Sequence, residues 1–140
     1  MVHVPNTLQT GIYYEVQKTV DAADVAANYG SHELQNLLAT PAYVAMMIEA
    51  ATQAVDPLLP DGLVTVGQSM EFIHQAPTVL GMNITVRATL NKLEDNKLSF
   101  IITAHDEIGE IGHGKHVRLI VNRDSLLKRA YERAGVYGVK

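Results

Sequence analysis

The chain has 140 residues, 47% of them hydrophobic and 19% charged, with a formal net charge of −4. That length fits one domain with a single core. The composition excludes charge-rich disorder, and the acidic balance without a local Lys/Arg cluster excludes the footprint of a nucleic-acid binder.

No cysteine is present, which excludes disulfides and thiolate metal sites. Met1-Val2-His3-Val4-Pro5-Asn6 lacks the basic and apolar regions of a signal peptide, and the long apolar stretch from Pro41 is interrupted by Glu49. It is too short to span a bilayer. A cytoplasmic protein without membrane contact is expected.

Ile12, Tyr14 and Val16 alternate with more polar neighbours and Val20 continues the pattern, which predicts a first strand with one covered face. Asp21 follows as a helix cap, and Ala22 to Tyr29 reads as a short helix closed by Gly30. Ser31 to Leu38 is expected to be irregular. The main helix should run from Thr40 or Pro41 to about Val55, stopped by Asp56-Pro57 and the turn Leu59-Pro60-Asp61-Gly62. From Ala42 to Ile48 it is apolar nearly all round, the mark of a helix wrapped by other structure, and Glu49, Thr52, Gln53 and Asp56 then form a polar stripe.

Four strand-like segments follow: Leu63 to Ile73, Met82 to Leu93, Leu98 to Asp106, and Ile111 to Val121. Ile84, Val86, Ala88 and Leu90, then Leu98, Phe100, Ile102 and Ala104, repeat with a period of two, so one face of the sheet is buried. The links Glu94-Asp95-Asn96-Lys97 and Glu107-Ile108-Gly109-Glu110 suit antiparallel hairpins. Asp124 is expected to cap an amphipathic helix to about Ala134, with a frayed tail over 135–140. The pattern is α+β in a single domain: one long helix against a curved antiparallel sheet.

Thr40 is the natural N-cap of the main helix, with Pro41 in the first helical position. The helix start over Pro41, Ala42 and Tyr43 then offers unpaired N–H groups and aligned dipoles to a carbonyl or oxyanion. Gly67 lies inside a strand, where glycine marks a bulge or a close backbone approach to a ligand. His74, at the end of that strand, is either a satisfied loop histidine or a general base. Glu49 is most simply a member of the polar stripe. His113 and His116, with His105 nearby, invite a metal reading, but residues three apart in a strand face opposite ways, so no metal is expected. Met46 and Met47 read as core or pocket lining.

Taken together, Ala39-Thr40-Pro41-Ala42, Val66-Gly67, His74, Ala76-Pro77, Gly81, Ala104-His105-Asp106 and Ile111-Gly112-x-Gly114-x-His116-x-Arg118 resemble the hotdog-fold thioesterases of the fluoroacetyl-CoA thioesterase type. The resemblance covers about Val16 to Val121. It implies a hotdog fold whose sheet wraps the helix, a homodimer or a tetramer of such dimers with sites at the subunit interface, and a coenzyme A thioester substrate with no separate cofactor. It also implies catalytic roles for Thr40 and His74, and a Gly67 N–H facing the thioester carbonyl. The family's catalytic Glu lies eight residues after the Thr, where this chain has Ile48, with Glu49 one step later. One step is a rotation of about 100° and a rise of about 1.5 Å, so Glu49 serves as the acid only through a local helix irregularity. Ser31 to Leu38 contains no Phe, so the aromatic lid and fluoroacetyl specificity are not carried over.

The expected function is hydrolysis of a small or medium acyl-CoA. The alternative is a non-catalytic acyl-CoA or small-ligand binder in which Ile48 has replaced the acid. A hotdog hydratase and a bare dimerisation module are weaker readings.

Overall fold

The structure, a computed structural model, describes residues 4–136. Period-two alternation builds its sheet from β1 (Tyr13–Thr19), β2 (Leu63–His74), β3 (Asn83–Glu94), β4 (Lys97–Asp106) and β5 (Glu110–Asn122). All neighbours are antiparallel in the order β1-β3-β4-β5-β2, so β1 and β2 are the edges. Ile84, Val86, Ala88 and Leu90 in β3 and Leu98, Phe100, Ile102 and Ala104 in β4 are all buried, which sets the inner face where the alternation predicts it.

Helix α1 (Thr40–Val55) lies on that face and buries Tyr43, Met46, Met47, Ala50, Ala51, Ala54 and Val55. The three alanines let the helix approach β1 and β3 closely, while Tyr43 and Met47 fill the remaining space, each such side chain worth about 1.5–3 kcal/mol when fully buried. The wrapping is one-sided, in contrast to the expected full enclosure. Pro41, Ala45 and Ile48 stay exposed at i, i+4 and i+7, because the sheet of one chain curves over only part of the helix.

Local ends differ from expectation for physical reasons. Ala22 to Tyr29 forms two 3₁₀ turns, Ala22–Asp24 and Ala26–Tyr29, rather than one helix, because Val25 adopts extended backbone and pairs with Leu38. Asp21 does cap the first turn, in a reciprocal box with Asp24, and Gly30 closes the second at φ 107°. The hairpin between β3 and β4 is tighter than predicted. Glu94 and Lys97 are its last ladder pair, and Asp95 turns the chain at φ 53°.

Helix α2 (Arg123–Ala134) is capped by Asn122, whose side-chain oxygen accepts from Ser125 N at 2.9 Å, and not by Asp124. Asn122 still has the extended backbone that a cap needs, whereas Asp124 is already inside the helix. Gly135 closes α2 at φ 74°. Met1 to His3 of the segment read against a leader, and Tyr137 to Lys140 of the expected tail, lie outside the described residues. No helix among the described residues is long and apolar enough to cross a membrane.

Candidate active site

The start of α1 is clamped from both sides. Ala39 N–H donates to Asp24 O at 2.7 Å and Leu38 N–H to Thr78 O at 2.9 Å, which aims the helix N-terminus at the end of β2. Ala39 is the N-cap, with φ −74° and ψ 141°, and no side chain caps the helix. Thr40 is therefore the first helical residue and Pro41 the second, one step on from the predicted arrangement. The Thr40 hydroxyl is engaged elsewhere: its Oγ1 lies 2.8 Å from His74 Nδ1. Two residues 34 positions apart thus form a hydrogen-bonded hydroxyl–imidazole pair.

Tyr43 backs this pair. Its buried ring lies 4.9 Å from the His74 ring and 6.1 Å, edge-on, from that of Phe72, and its hydroxyl donates to Ile73 O at 3.2 Å. Burial pushes the phenol well above its ordinary pKa, so Tyr43 stays a neutral donor. Two glycines of β5 make room for the aromatic pair. A Cβ at Gly112, opposite His74 in the ladder, would clash with Ile73 O and the Tyr43 hydroxyl, and one at Gly114 would lie 2.8 Å from Glu71 O. Burial lowers the His74 pKa from its ordinary 6.5, against an opposing electrostatic pull from the nearby Ala76 backbone. Its Nε2 is buried and has no hydrogen-bond partner among the described residues.

A pocket of about 360 Å³ opens over Thr40 and His74, walled by Tyr29, Leu34, Leu37, Pro41 and Pro77. The irregular stretch Ser31 to Leu38 supplies one side of it, with no charged side chain in the lining. A pocket that sets leucine, alanine and proline side chains beside a hydroxyl–imidazole pair suits an acyl group presented to a nucleophile or an activated water.

Other residues singled out in the sequence fall elsewhere. Pro41 lines the pocket, but Ala42 and Tyr43 do not. Of the three expected backbone donors, Pro41 has no N–H and Tyr43 N–H already donates to Ala39 O at 3.1 Å, which leaves Ala42. Gly67 is seven residues from His74 along β2, about 23 Å at about 3.3 Å per residue, so one chain cannot bring the two together. It sits at a β-bulge, where the ladder register shifts between Gly67 and Ser69. Glu49 is exposed on an unbroken α-helix without the irregularity it would need. Nine residues of helix place it about 13.5 Å along the axis from Thr40, and it does not line the pocket. Ile48 is 39% exposed on the uncovered face.

The sequence reading missed one cluster, although period-two alternation on β5 signals it. His116 and Arg118 point inward with Gly112, Gly114 and Ile120, and they meet Thr65 of β2, which bonds to Asp56 after α1. His113 faces outward, toward Glu110 at 3.3 Å, so the two histidines do lie on opposite faces. Among the described residues no group of three or more His, Cys, Asp or Glu gathers as a metal site.

Residues 20–124 match the family model of the fluoroacetyl-CoA-specific thioesterase, FlK. A fluoroacetyl-CoA thioesterase of Streptantibioticus cattleyicolor is 34% identical over 90 residues, 64% of this chain, and the matched stretch spans 65% of that protein's length. Among solved structures, a hot-dog-like protein from Thermanaerovibrio acidaminovorans superposes with a TM-score of 0.83 at 31% identity, covering 94% of each chain. A structure of the fluoroacetyl-CoA thioesterase FlK superposes with a TM-score of 0.82 at 25% identity, covering 89% of this chain and 96% of that one. The fold is thus hotdog-like, and the chain belongs to the fluoroacetyl-CoA-specific thioesterase family.

Proposed function

We propose that this protein hydrolyses a small or medium acyl-CoA thioester to the free acid and coenzyme A, with Thr40 and His74 as its catalytic pair. The observation that carries the reading is the 2.8 Å contact of Thr40 Oγ1 with His74 Nδ1 at a helix start, beneath a pocket walled in large part by leucine and proline side chains. Either Oγ1 attacks the thioester carbonyl as its own proton passes to Nδ1, or a water held by the hydroxyl attacks, its proton going to Oγ1 as the hydroxyl proton passes to Nδ1. His74 then returns the proton to the leaving sulfur. If an acyl-Thr40 ester forms, water cleaves it with His74 again as base. Proton transfer by a positioned imidazole contributes about 10²- to 10⁴-fold, and a pKa held below 6.5 by burial keeps His74 in the basic form at neutral pH. Water is the second substrate, and no cofactor is needed. A chain without cysteine suits a cytoplasmic acyl-CoA pool.

The working unit of this reading is a homodimer joined through β2. This is a twelve-residue edge strand with a ladder neighbour, β5, on one side only, flanked by exposed Ile73 and by the uncovered α1 face of Pro41, Ala45 and Ile48. If two copies of β2 pair antiparallel about an axis between Met70 and Glu71, Gly67 of one stands opposite His74 of the other. The Gly67 N–H then reaches the thioester carbonyl from across the interface, as a polariser. Glu49 has no part in the pair within one chain.

The test is thiol release from short-, medium- and aryl-acyl-CoAs by the parent, Thr40→Ala and His74→Ala. Turnover in the parent that falls by about 10²-fold or more in both variants supports the reading. A parent with no release above the buffer rate sinks it. A second reading, a ligand-binding protein on the same fold, is favoured by Ile48 at the family's acid position. It predicts a raised melting temperature with CoA esters and no turnover.

A further inference from the structure

Beneath the β2 bulge lies a chain of buried polar groups that the Thr40–His74 chemistry does not use. His116 is 2% exposed, Thr65 5% and Arg118 6%. Their hydrogen bonds have one direction. A guanidinium only donates, so His116 Nε2, 3.2 Å from Arg118 Nη1, is an acceptor. The imidazole proton is then on Nδ1, which donates to Ser69 O at 2.8 Å. Arg118 Nε donates to Thr65 Oγ1 at 2.8 Å and Nη2 to Thr65 O at 2.9 Å. Because a carboxylate only accepts, the Thr65 hydroxyl gives its own proton to Asp56, whose second oxygen accepts Thr65 N–H at 3.3 Å. The relay runs from an anion at the end of α1, through a buried cation, to a backbone carbonyl.

Both ends of the bulge meet this relay. Ser69, where register with β5 resumes, offers its carbonyl to His116. Gly67, on the other side, faces the relay: its Cβ position lies in ordinary contact range, 3.4 Å from His116 Cε1 and 3.6 Å from Arg118 Nη1. Bulges re-aim backbone beside active sites, and this one is tied on its inner side to four polar residues. Stability alone explains the arrangement poorly. Among the described residues Arg118 has no direct carboxylate partner, and apolar side chains of similar volume commonly fill such sites at no loss of stability. Burial, together with the Arg118 charge, holds His116 below its ordinary pKa against its bond to Ser69, in the neutral form that the directional chain requires.

We propose that Asp56, Thr65, Arg118 and His116 are positioning residues that hold the Gly67–Ser69 bulge, and with it the Gly67 N–H, in the geometry that receives a thioester carbonyl. The inference rests on the reading of Gly67 as the carbonyl's polariser.

The test is steady-state thioester hydrolysis by Thr65→Val and Thr65→Ser, with Thr40→Ala alongside. Thr65→Val keeps the branched shape and removes the hydroxyl. A small misplacement remote from the chemistry costs up to about 10²-fold, so kcat falls by about 10- to 100-fold while KM stays within about threefold. Thr65→Ser, which keeps the hydroxyl, restores kcat to within about threefold of the parent. An unchanged kcat in Thr65→Val, or equal losses in the Val and Ser variants, overturns the proposal. Should Thr65→Val not fold, Asp56→Ala at the half-exposed end of the relay replaces it: a loss of about fivefold or more in kcat at steady KM supports the relay, and an unchanged kcat overturns it. Thr40→Ala separates the two readings. If it keeps parent activity, the site and the relay fall together; if it is inactive while Thr65→Val is unimpaired, the relay alone falls.

Discussion

Gly112→Ala probes the support of the proposed Thr40–His74 site without changing either residue. The added methyl group meets the Ile73 carbonyl and the Tyr43 hydroxyl, one of them backbone and the other at the tip of a fully buried ring, so neither yields cheaply. Overpacking of this kind costs about 1–3 kcal/mol, and loss of the Tyr43 hydrogen bond to Ile73 adds about 1 kcal/mol. The reduced freedom of the unfolded chain returns about 0.4–1 kcal/mol. The net is about 1–3.6 kcal/mol. With an unfolding entropy near 0.3 kcal/mol/K for a chain of this length, the melting temperature falls by about 3–12 °C. Because Gly112 is the ladder partner of His74, the shift also loosens the Thr40 contact and lowers kcat. Calorimetry and thiol release measure the two effects. Gly109→Ala is the control, since nothing lies within 4 Å of its Cβ position. A Gly112→Ala melting temperature within about 2 °C of the parent, at parent kcat, would refute the packing argument.

Activity should fall on acidification with an apparent pKa below 6.5, because in the proposed mechanism His74 acts in its neutral form and burial lowers its pKa; a midpoint above 6.5 in a pH–kcat profile contradicts this. The same shift bears on stability. His74 and His116 bind protons more readily in the unfolded chain, so their contribution is complete above about pH 6.5 and is lost as pH falls through the lowered folded values, which urea unfolding between pH 5 and 8 would reveal. Glu49→Gln is expected to keep kcat within about twofold, since its carboxylate lies on the exposed face away from the pair; a loss of 10²-fold would mean that it acts across the subunit interface. Asn122→Ala should cost about 0.5–2 kcal/mol by removing the cap of α2, without changing kcat, as a thermal melt beside the activity assay can check.

Sequence alone determined what depends on near neighbours. The five strands, the span of α1 and the identity of the inner face follow from periodicities of 2.0 and 3.6 residues, since burial of one face is a local pattern repeated along each element. The Asp21 cap and the Gly30 closure were legible for the same reason. Only the tertiary structure decided where polar side chains direct their hydrogen bonds. Thr40 has the type and place of a cap, yet its hydroxyl meets His74, 34 residues away, because loops on both sides pin the helix start beside the end of β2. Tyr43 is legible in the sequence as part of the helix start, yet its ring packs behind the imidazole, in space that Gly112 and Gly114 leave on a neighbouring strand. Arg118, Thr65 and Asp56 come together because β2 and β5 pair in one particular register, with a bulge at Gly67. Such contacts join elements far apart in the chain, and no local periodicity encodes which of the available donors and acceptors will face one another when the sheet closes on the helix.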